Sequence, residues 1–136
     1  MKKYKFLLVA SNFYPEITSK LLQGAQKYLK ENGHKFDTTS TKGSLEIPTK
    51  ISMKLDKNKY DAVVAIGCII KGKTDHYEFI ANAITKTLLE LSIQKKLPIS
   101  NSILTCRNIK QAKERSSNKL NRAIEAVEAA IEVLKN

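Results

Sequence analysis

The run DAVVAIGCII at residues 61–70 constrains the fold more than any other stretch of this sequence. It is rich in Val and Ile, which favour strands, and it is far shorter than the roughly 20 residues that a membrane helix needs. A strand that is apolar at almost every position is covered on both faces. We therefore predict that this run is a central strand of a sheet with helices on both sides.

Strand-like and helix-like segments alternate along the rest of the chain. Further strands are predicted at KFLLVAS (5–11), KFDTTST (35–41) and LPISNSILTC (97–106). Helices are predicted from residue 17 to about Gly33, around 49–56, over 76–95, near 108–117 and over 119–135. Because every return to the same sheet needs a crossover, this alternation favours parallel strands. We predict an α/β fold, a flavodoxin-like three-layer α/β/α sandwich around a parallel sheet of about four strands.

Length and composition favour one domain without a membrane or nucleic-acid partner. The chain has 136 residues, of which 42% are hydrophobic, and this suits one compact domain over residues 1–136. The formal charge of +11 comes from lysines spread along the chain, which favours a solvated surface that attracts small anions over a nucleic-acid site. No secretory signal or membrane segment is recognisable, so we expect a soluble, cytoplasmic protein.

The two cysteines give no sign of a metal site. Cys68 and Cys106 lie in separate strand-like runs, with no CxxC pattern and no neighbouring histidine. We expect buried free thiols.

Ligands of parallel α/β sheets bind outside the carboxyl ends of the strands. Four segments follow predicted strands: SNFYPE, GSLEIP, KGKTDH and TCRNIKQAKER. Gly72 permits a sharp turn, and Thr74 or Asp75 can cap the next helix, whose amino end would attract an anion. His76 would lie in the first turn, where a pKa of about 6.5 suits proton transfer, although a purely structural role is open on this pattern alone.

Three other residues of these segments have two readings each. Glu46 either binds ligand hydroxyls or caps a turn, and Phe13 either stacks on a planar ring or belongs to the core. Arg115, one helical turn from Gln111, either binds phosphate or is a solvated cation.

Taken together and in this order, the segments resemble the 6,7-dimethyl-8-ribityllumazine synthase family over about residues 5–134. The matching motifs are SNFYPEITSKLLQGA, GSLEIP, AIGCIIKGKTDHYEFIANA and ILTCRNIKQAKER, followed by NK at 118 and 119. The resemblance implies condensation of 5-amino-6-(D-ribitylamino)uracil with 3,4-dihydroxy-2-butanone 4-phosphate, with release of phosphate and water and no metal or organic cofactor. It also implies a homo-oligomer, a pentamer or a multiple of pentamers, with active sites between subunits.

The resemblance assigns a role to each matching position. It makes His76 the proton-transferring residue, and it implies a phosphate site of Lys73, Thr74 and Arg115. The pyrimidine and ribityl site would comprise Phe13, Ser44, Leu45, Glu46, Cys68, Ile69, Ile70, Asn101 and Lys119. Leu45 replaces the commoner Phe of the family, and Asn101 replaces an aromatic residue that many members lend to the neighbouring site.

Two other functions stay open on the sequence alone. One is the related pentameric riboflavin synthase, which would dismutate lumazine, and the other is a non-catalytic flavin-binding or lumazine-binding shell protein. The loop KGKTDHYEF, with His76, favours the enzyme that handles a phosphorylated substrate.

Overall fold

The computed structural model describes residues 2–72 and 76–135 and contains, within them, a four-stranded sheet and five α-helices. The strands are β1 (Lys5–Ser11), β2 (Lys35–Thr41), β3 (Ala62–Ile70) and β4 (Ile99–Cys106). The helices are α1 (Pro15–Glu31), α2 (Ile47–Lys57), α3 (His76–Lys95), α4 (Ile109–Arg115) and α5 (Arg122–Leu134). A 3₁₀ turn, Ser44–Glu46, precedes α2. No helix in these ranges is long and apolar enough to cross a membrane.

The sheet is parallel throughout, with the strand order β2-β1-β3-β4. The predicted central strand is confirmed, because β3 lies between β1 and β4 and is buried from Ala62 to Cys68. Successive residues of a strand point to opposite faces, so each strand contributes to two cores. In β1, Phe6 and Leu8 face a core with α1 and α5, whereas Leu7 and Val9 face one with α2 and α3. This arrangement is the predicted three-layer sandwich.

Asn121 joins the last helix to the first. Its Oδ1 accepts hydrogen bonds from the Ala123 and Ile124 amides at 2.9 and 3.3 Å, which caps α5. Its Nδ2 donates to the Lys20 carbonyl in α1 at 2.9 Å. This contact requires glycine at position 24, because a methyl group there would collide with the Asn121 amide. The start of α5 is thus fixed against α1.

His34 lies buried at the amino end of the sheet, opposite its carboxyl edge. Its Nδ1 accepts a hydrogen bond from the Tyr4 amide at 3.0 Å, and its ring stacks on that of Tyr4. Burial, followed by the positive charge of Lys3, lowers the pKa of His34. Protonating Nδ1 would remove the acceptor of the Tyr4 amide and place a charge in the core.

We expect the free energy of unfolding to decrease as the pH falls from 7.5 to 5.5, owing to His34. Its folded-state pKa is lowered, so the unfolded chain binds more protons in this range, and the stability present above the unfolded pKa is lost as pH falls through the folded value. Chemical denaturation at several pH values, at one protein concentration, measures this effect. In His34→Gln, which cannot titrate, the slope should flatten.

His76→Gln is the matched control for this experiment, because it removes the other histidine of the chain from an exposed position. It should keep the pH dependence of the wild-type protein. A wild-type slope that persists in His34→Gln would contradict the role of His34.

Candidate functional site

A cavity of about 200 Å³ opens at the carboxyl edge of the sheet. It is lined by Phe13, Tyr14, Gly43, Ser44, Leu45, Glu46, Cys68, Ile69, Ile70 and Ile80. The cavity brings together residues that follow β1, the 3₁₀ turn that follows β2, and the end of β3. Of the four segments predicted at strand ends, SNFYPE and GSLEIP contribute to it. All the residues predicted to bind the pyrimidine and ribityl groups are here except Asn101 and Lys119.

Two large apolar side chains at this cavity are exposed. Phe13 follows β1 and is 66% exposed, and Leu45 in the 3₁₀ turn is 57% exposed. The rings of Phe13 and Tyr14 are nearly perpendicular, with 5.0 Å between their centroids. The exposure of Phe13 excludes the interpretation that it belongs to the core. An exposed aromatic ring at the same cavity as Ile69 and Ile70 suits a planar ligand.

The Ser44–Glu46 turn is held by several polar contacts. The Glu46 Oε1 accepts a hydrogen bond from the Gly43 amide at 2.9 Å, and the Thr41 hydroxyl donates to the Gly43 carbonyl at 2.7 Å. The Ser44 hydroxyl lies 3.4 Å from that of Ser11, and both side chains are buried. Glu46 thus caps the turn with one carboxylate oxygen, and its side chain remains exposed at the cavity.

Arg115, at the end of α4, lies against the end of β4. Its Nη1 donates to the Thr105 carbonyl at 3.3 Å and to the Cys106 Sγ at 3.6 Å. The direction of α4 is set by Asn108, whose Oδ1 accepts the Gln111 amide at 2.9 Å. The Gln111 Oε1 in turn accepts a hydrogen bond from the Arg107 amide in the β4–α4 connection. The Gln111 side chain therefore points toward Arg107 and not toward Arg115.

A second cavity, of about 500 Å³, lies along β4 and α5. Its lining includes Asn101, Arg115, Arg122 and Glu125. The structure thus groups Asn101 with Arg115, and it places both in a different cavity from Phe13 and Glu46. Asn101 is held by its Oδ1, which accepts the Ile103 amide at 2.9 Å.

Arg122 is a candidate binding residue that the sequence reasoning missed. It begins α5 and lines the second cavity together with Arg115, and its Nε lies 3.6 Å from a Glu125 oxygen. Lys119, which was the predicted binding residue, is exposed and lines neither cavity. The asparagine cap at position 121 is the feature of the sequence that could have shown where the last helix starts, and so that Arg122 opens it.

His76 is exposed and is the first residue of α3. The helix follows the loop after β3, so it begins at the same edge of the sheet as the cavities. The predicted phosphate-binding residues Lys73 and Thr74, and the alternative cap Asp75, lie outside the described residues. Among residues 2–72 and 76–135, no three His, Cys, Asp or Glu side chains are grouped as a metal site would need.

The protein is a doubly wound α/β sandwich with a cavity at the carboxyl edge of its parallel sheet, the edge at which proteins of this class bind ligands. The sequence model of the 6,7-dimethyl-8-ribityllumazine synthase family matches residues 3–136. This chain therefore belongs to that family.

Individual relatives agree with this assignment. The chain is 40% identical to the 6,7-dimethyl-8-ribityllumazine synthase of Bartonella tribocorum over 132 residues, which cover 96% of this chain and 87% of the relative. It is 36% identical to the enzyme of the same name from Nitrobacter hamburgensis over 135 residues, covering 95% and 83%. A third, from Zymomonas mobilis, is 38% identical over 128 residues, covering 93% and 91%.

We expect both thiols to resist modification in the folded protein. Burial, with a smaller contribution from Cys106, raises the pKa of Cys68 to about 12, and burial also raises the pKa of Cys106 in spite of Arg115. At pH 8 only about one Cys68 thiol in 10⁴ is then a thiolate, the reactive form. Reaction with 5,5′-dithiobis(2-nitrobenzoate), followed by absorbance, should be slow until denaturant is added.

Ser19→Cys provides the control, because it places a thiol at an exposed position of α1. That thiol should react at once in the folded protein. Rapid reaction of the wild-type protein without denaturant would contradict the burial of Cys68 and Cys106.

Proposed function

We propose that this chain condenses 5-amino-6-(D-ribitylamino)uracil with 3,4-dihydroxy-2-butanone 4-phosphate to 6,7-dimethyl-8-ribityllumazine, with release of phosphate and water. Membership in the family makes it a transferase of riboflavin biosynthesis. The observation that carries the proposal is the cavity at the carboxyl edge, in which residues that follow β1 and β2 meet the end of β3. Neither a riboflavin synthase nor a non-catalytic shell protein is favoured by the family assignment.

In the proposed site, the pyrimidine ring stacks on Phe13 and lies over Ile69 and Ile70. Glu46 binds ribityl hydroxyls with its carboxylate, whose charge strengthens such hydrogen bonds. The exposed Phe13 ring and the apolar cavity support this orientation. Holding the amine of this substrate close to the ketone of the other accounts for several kcal/mol of catalysis in reactions of this kind.

The chemistry needs proton transfers and an anion site. The amine attacks the ketone to form an imine with loss of one water. Elimination of phosphate leaves an enol that tautomerises to a new ketone, and the ribitylamino nitrogen closes the ring onto this ketone with loss of a second water. His76 transfers protons in these steps, while Arg115 and the amino end of α3 stabilise the leaving phosphate. Lys73 and Thr74 complete the phosphate site in this proposal.

The active site is proposed to form between two copies of the chain in a pentamer or a multiple of pentamers. Asn101 and Arg115 line a different cavity from Phe13 and Glu46, so one chain offers two partial sites. Helix α3 also exposes large apolar side chains along one face: Phe79, Leu89 and Ile93 are 75%, 60% and 77% exposed. Burial of that face between copies would bring partial sites together.

Mixing the purified protein with both substrates tests the proposed reaction. Lumazine absorbance and phosphate should appear in equal amounts and faster than in the uncatalysed condensation, and His76→Gln should lower kcat on the order of 10²-fold because it removes proton transfer. His34→Gln, at the opposite end of the sheet, should retain activity. No acceleration by the wild-type protein would refute the function, and riboflavin formed from lumazine alone would identify the alternative enzyme.

Complementation between variants tests the shared site. Arg115→Ala should raise the KM for the phosphorylated ketone, and Glu46→Gln should raise the KM for the pyrimidine. When the two variants are unfolded and reassembled together in equal amounts, roughly a quarter of the interfaces receive both intact halves. Activity should therefore return to about a quarter of the wild-type rate at substrate concentrations that leave either variant almost inactive.

Arg107→Ala is the matched control for Arg115→Ala, since it removes an exposed arginine from the same β4–α4 connection. Both KM values should stay unchanged in this variant. Reassembled mixtures that show only the average of the two single variants would contradict a site shared between subunits.

A further inference from the structure

Gly67 lies in the middle of β3, where a glycine weakens a strand unless another group needs the space. It is buried and pairs with Ile103 of β4. A Cβ at this position would lie 2.5 Å from the Ser44 Oγ, 3.1 Å from the Ser11 Oγ and 3.4 Å from the Ile103 Cγ1. The Ser44 side chain therefore occupies the space that a side chain at position 67 would need.

The Ser44 hydroxyl is directed to the sheet. Ser44 is 7% exposed and Ser11 is fully buried, and their hydroxyl oxygens are 3.4 Å apart. The Ser44 side chain thus lies between β1 and β3, at the points where Ser11 and Gly67 leave room for it. The Ser44 side chain therefore holds the 3₁₀ turn against the two central strands, β1 and β3.

The residues after Ser44 take their positions from this contact. Leu45 and Glu46 follow it directly in the 3₁₀ turn, and both line the cavity at the carboxyl edge. The turn is also closed from its other side, because the Gly43 amide donates to the Glu46 carboxylate. A methyl group at position 67 would displace the Ser44 Oγ. Because the Ser44 side chain is buried against Ser11, the turn that carries Leu45 and Glu46 would shift with it.

We propose that Gly67 is a positioning residue for the substrate site, and that the Ser44 hydroxyl anchors the turn to the sheet instead of binding substrate. This inference rests on the proposed function, since it takes the cavity as the pyrimidine and ribityl site. The space at Gly67 sets how far Leu45 and Glu46 stand from β3. The phosphate half of the reaction, at Arg115, does not depend on it.

The test measures both KM values in Gly67→Ala. The KM for the pyrimidine substrate should rise on the order of tenfold, because displacements of about 1 Å in a site are costly, while the KM for the phosphorylated ketone changes little. Ser44→Ala alone should change the pyrimidine KM by less than about threefold, because the Gly43–Glu46 and Thr41–Gly43 hydrogen bonds still hold the turn and no hydrogen bond to substrate is lost.

Rescue by a second substitution separates a steric cause from general damage. In Gly67→Ala/Ser44→Ala the oxygen that lies 2.5 Å from the new methyl group is absent. The pyrimidine KM of the double variant should return to that of Ser44→Ala. Val63→Ala is the control for lost stability, because Val63 is buried near the other end of β3, opposite Leu7 and Ile99. It should lower the temperature of unfolding and leave both KM values unchanged.

Amide hydrogen exchange gives a readout that does not depend on where the substrate binds. Exchange at residues 43–47 should accelerate in Gly67→Ala and recover in the double variant. An unchanged pyrimidine KM with accelerated exchange would place the substrate elsewhere and refute the proposed site. Unchanged exchange, or a double variant no better than Gly67→Ala, would overturn the role of Gly67 itself.

Discussion

The burial of β3 on both faces is the constraint on which the rest of the structure depends. A strand apolar from Ala62 to Cys68 has no face to turn to solvent, so it must lie inside the sheet with helices above and below. Its parallel pairing with β1 and β4 then brings the carboxyl ends of three strands to one edge. The residues proposed for the reaction, such as Phe13 and His76, follow those strand ends by only a few positions in the sequence. The site is in this sense a consequence of the core.

The fold was predictable because its determinants are local and repeated. The apolar run at residues 61–70 predicted β3, and the helical spacing that ends near Gly33 predicted α1. Gly33 has a φ of 77°, as expected just after a helix. The meeting of Phe13, Glu46 and Ile70 in one cavity was also predictable, since it follows from the rule that loops at the carboxyl ends converge.

Side-chain directions within the site were not predictable. Nothing in the letters GSLEIP shows that the Ser44 hydroxyl is turned to the sheet, because this follows from the close approach to Gly67 in a distant segment. Contacts between segments decide such side-chain directions, and a single sequence does not contain them. The start of α5 at Arg122 was missed for another reason: the chain between α4 and α5 has no periodicity, so only the local Asn121 cap marks the boundary.

The contact between Asn121 and Gly24 has a consequence for how this protein can change. Glycine within a helix costs about 1 kcal/mol relative to alanine, so Gly24 looks like a simple target for stabilising α1. The Asn121 amide occupies the space of the missing methyl group, caps α5 and bonds the Lys20 carbonyl. Substitutions at the two positions therefore depend on each other. Alanine at position 24 becomes acceptable only after Asn121 is replaced by a smaller residue, and that replacement removes the cap of α5. Stabilising α1 by this substitution would therefore weaken the start of α5, the helix that carries Arg122.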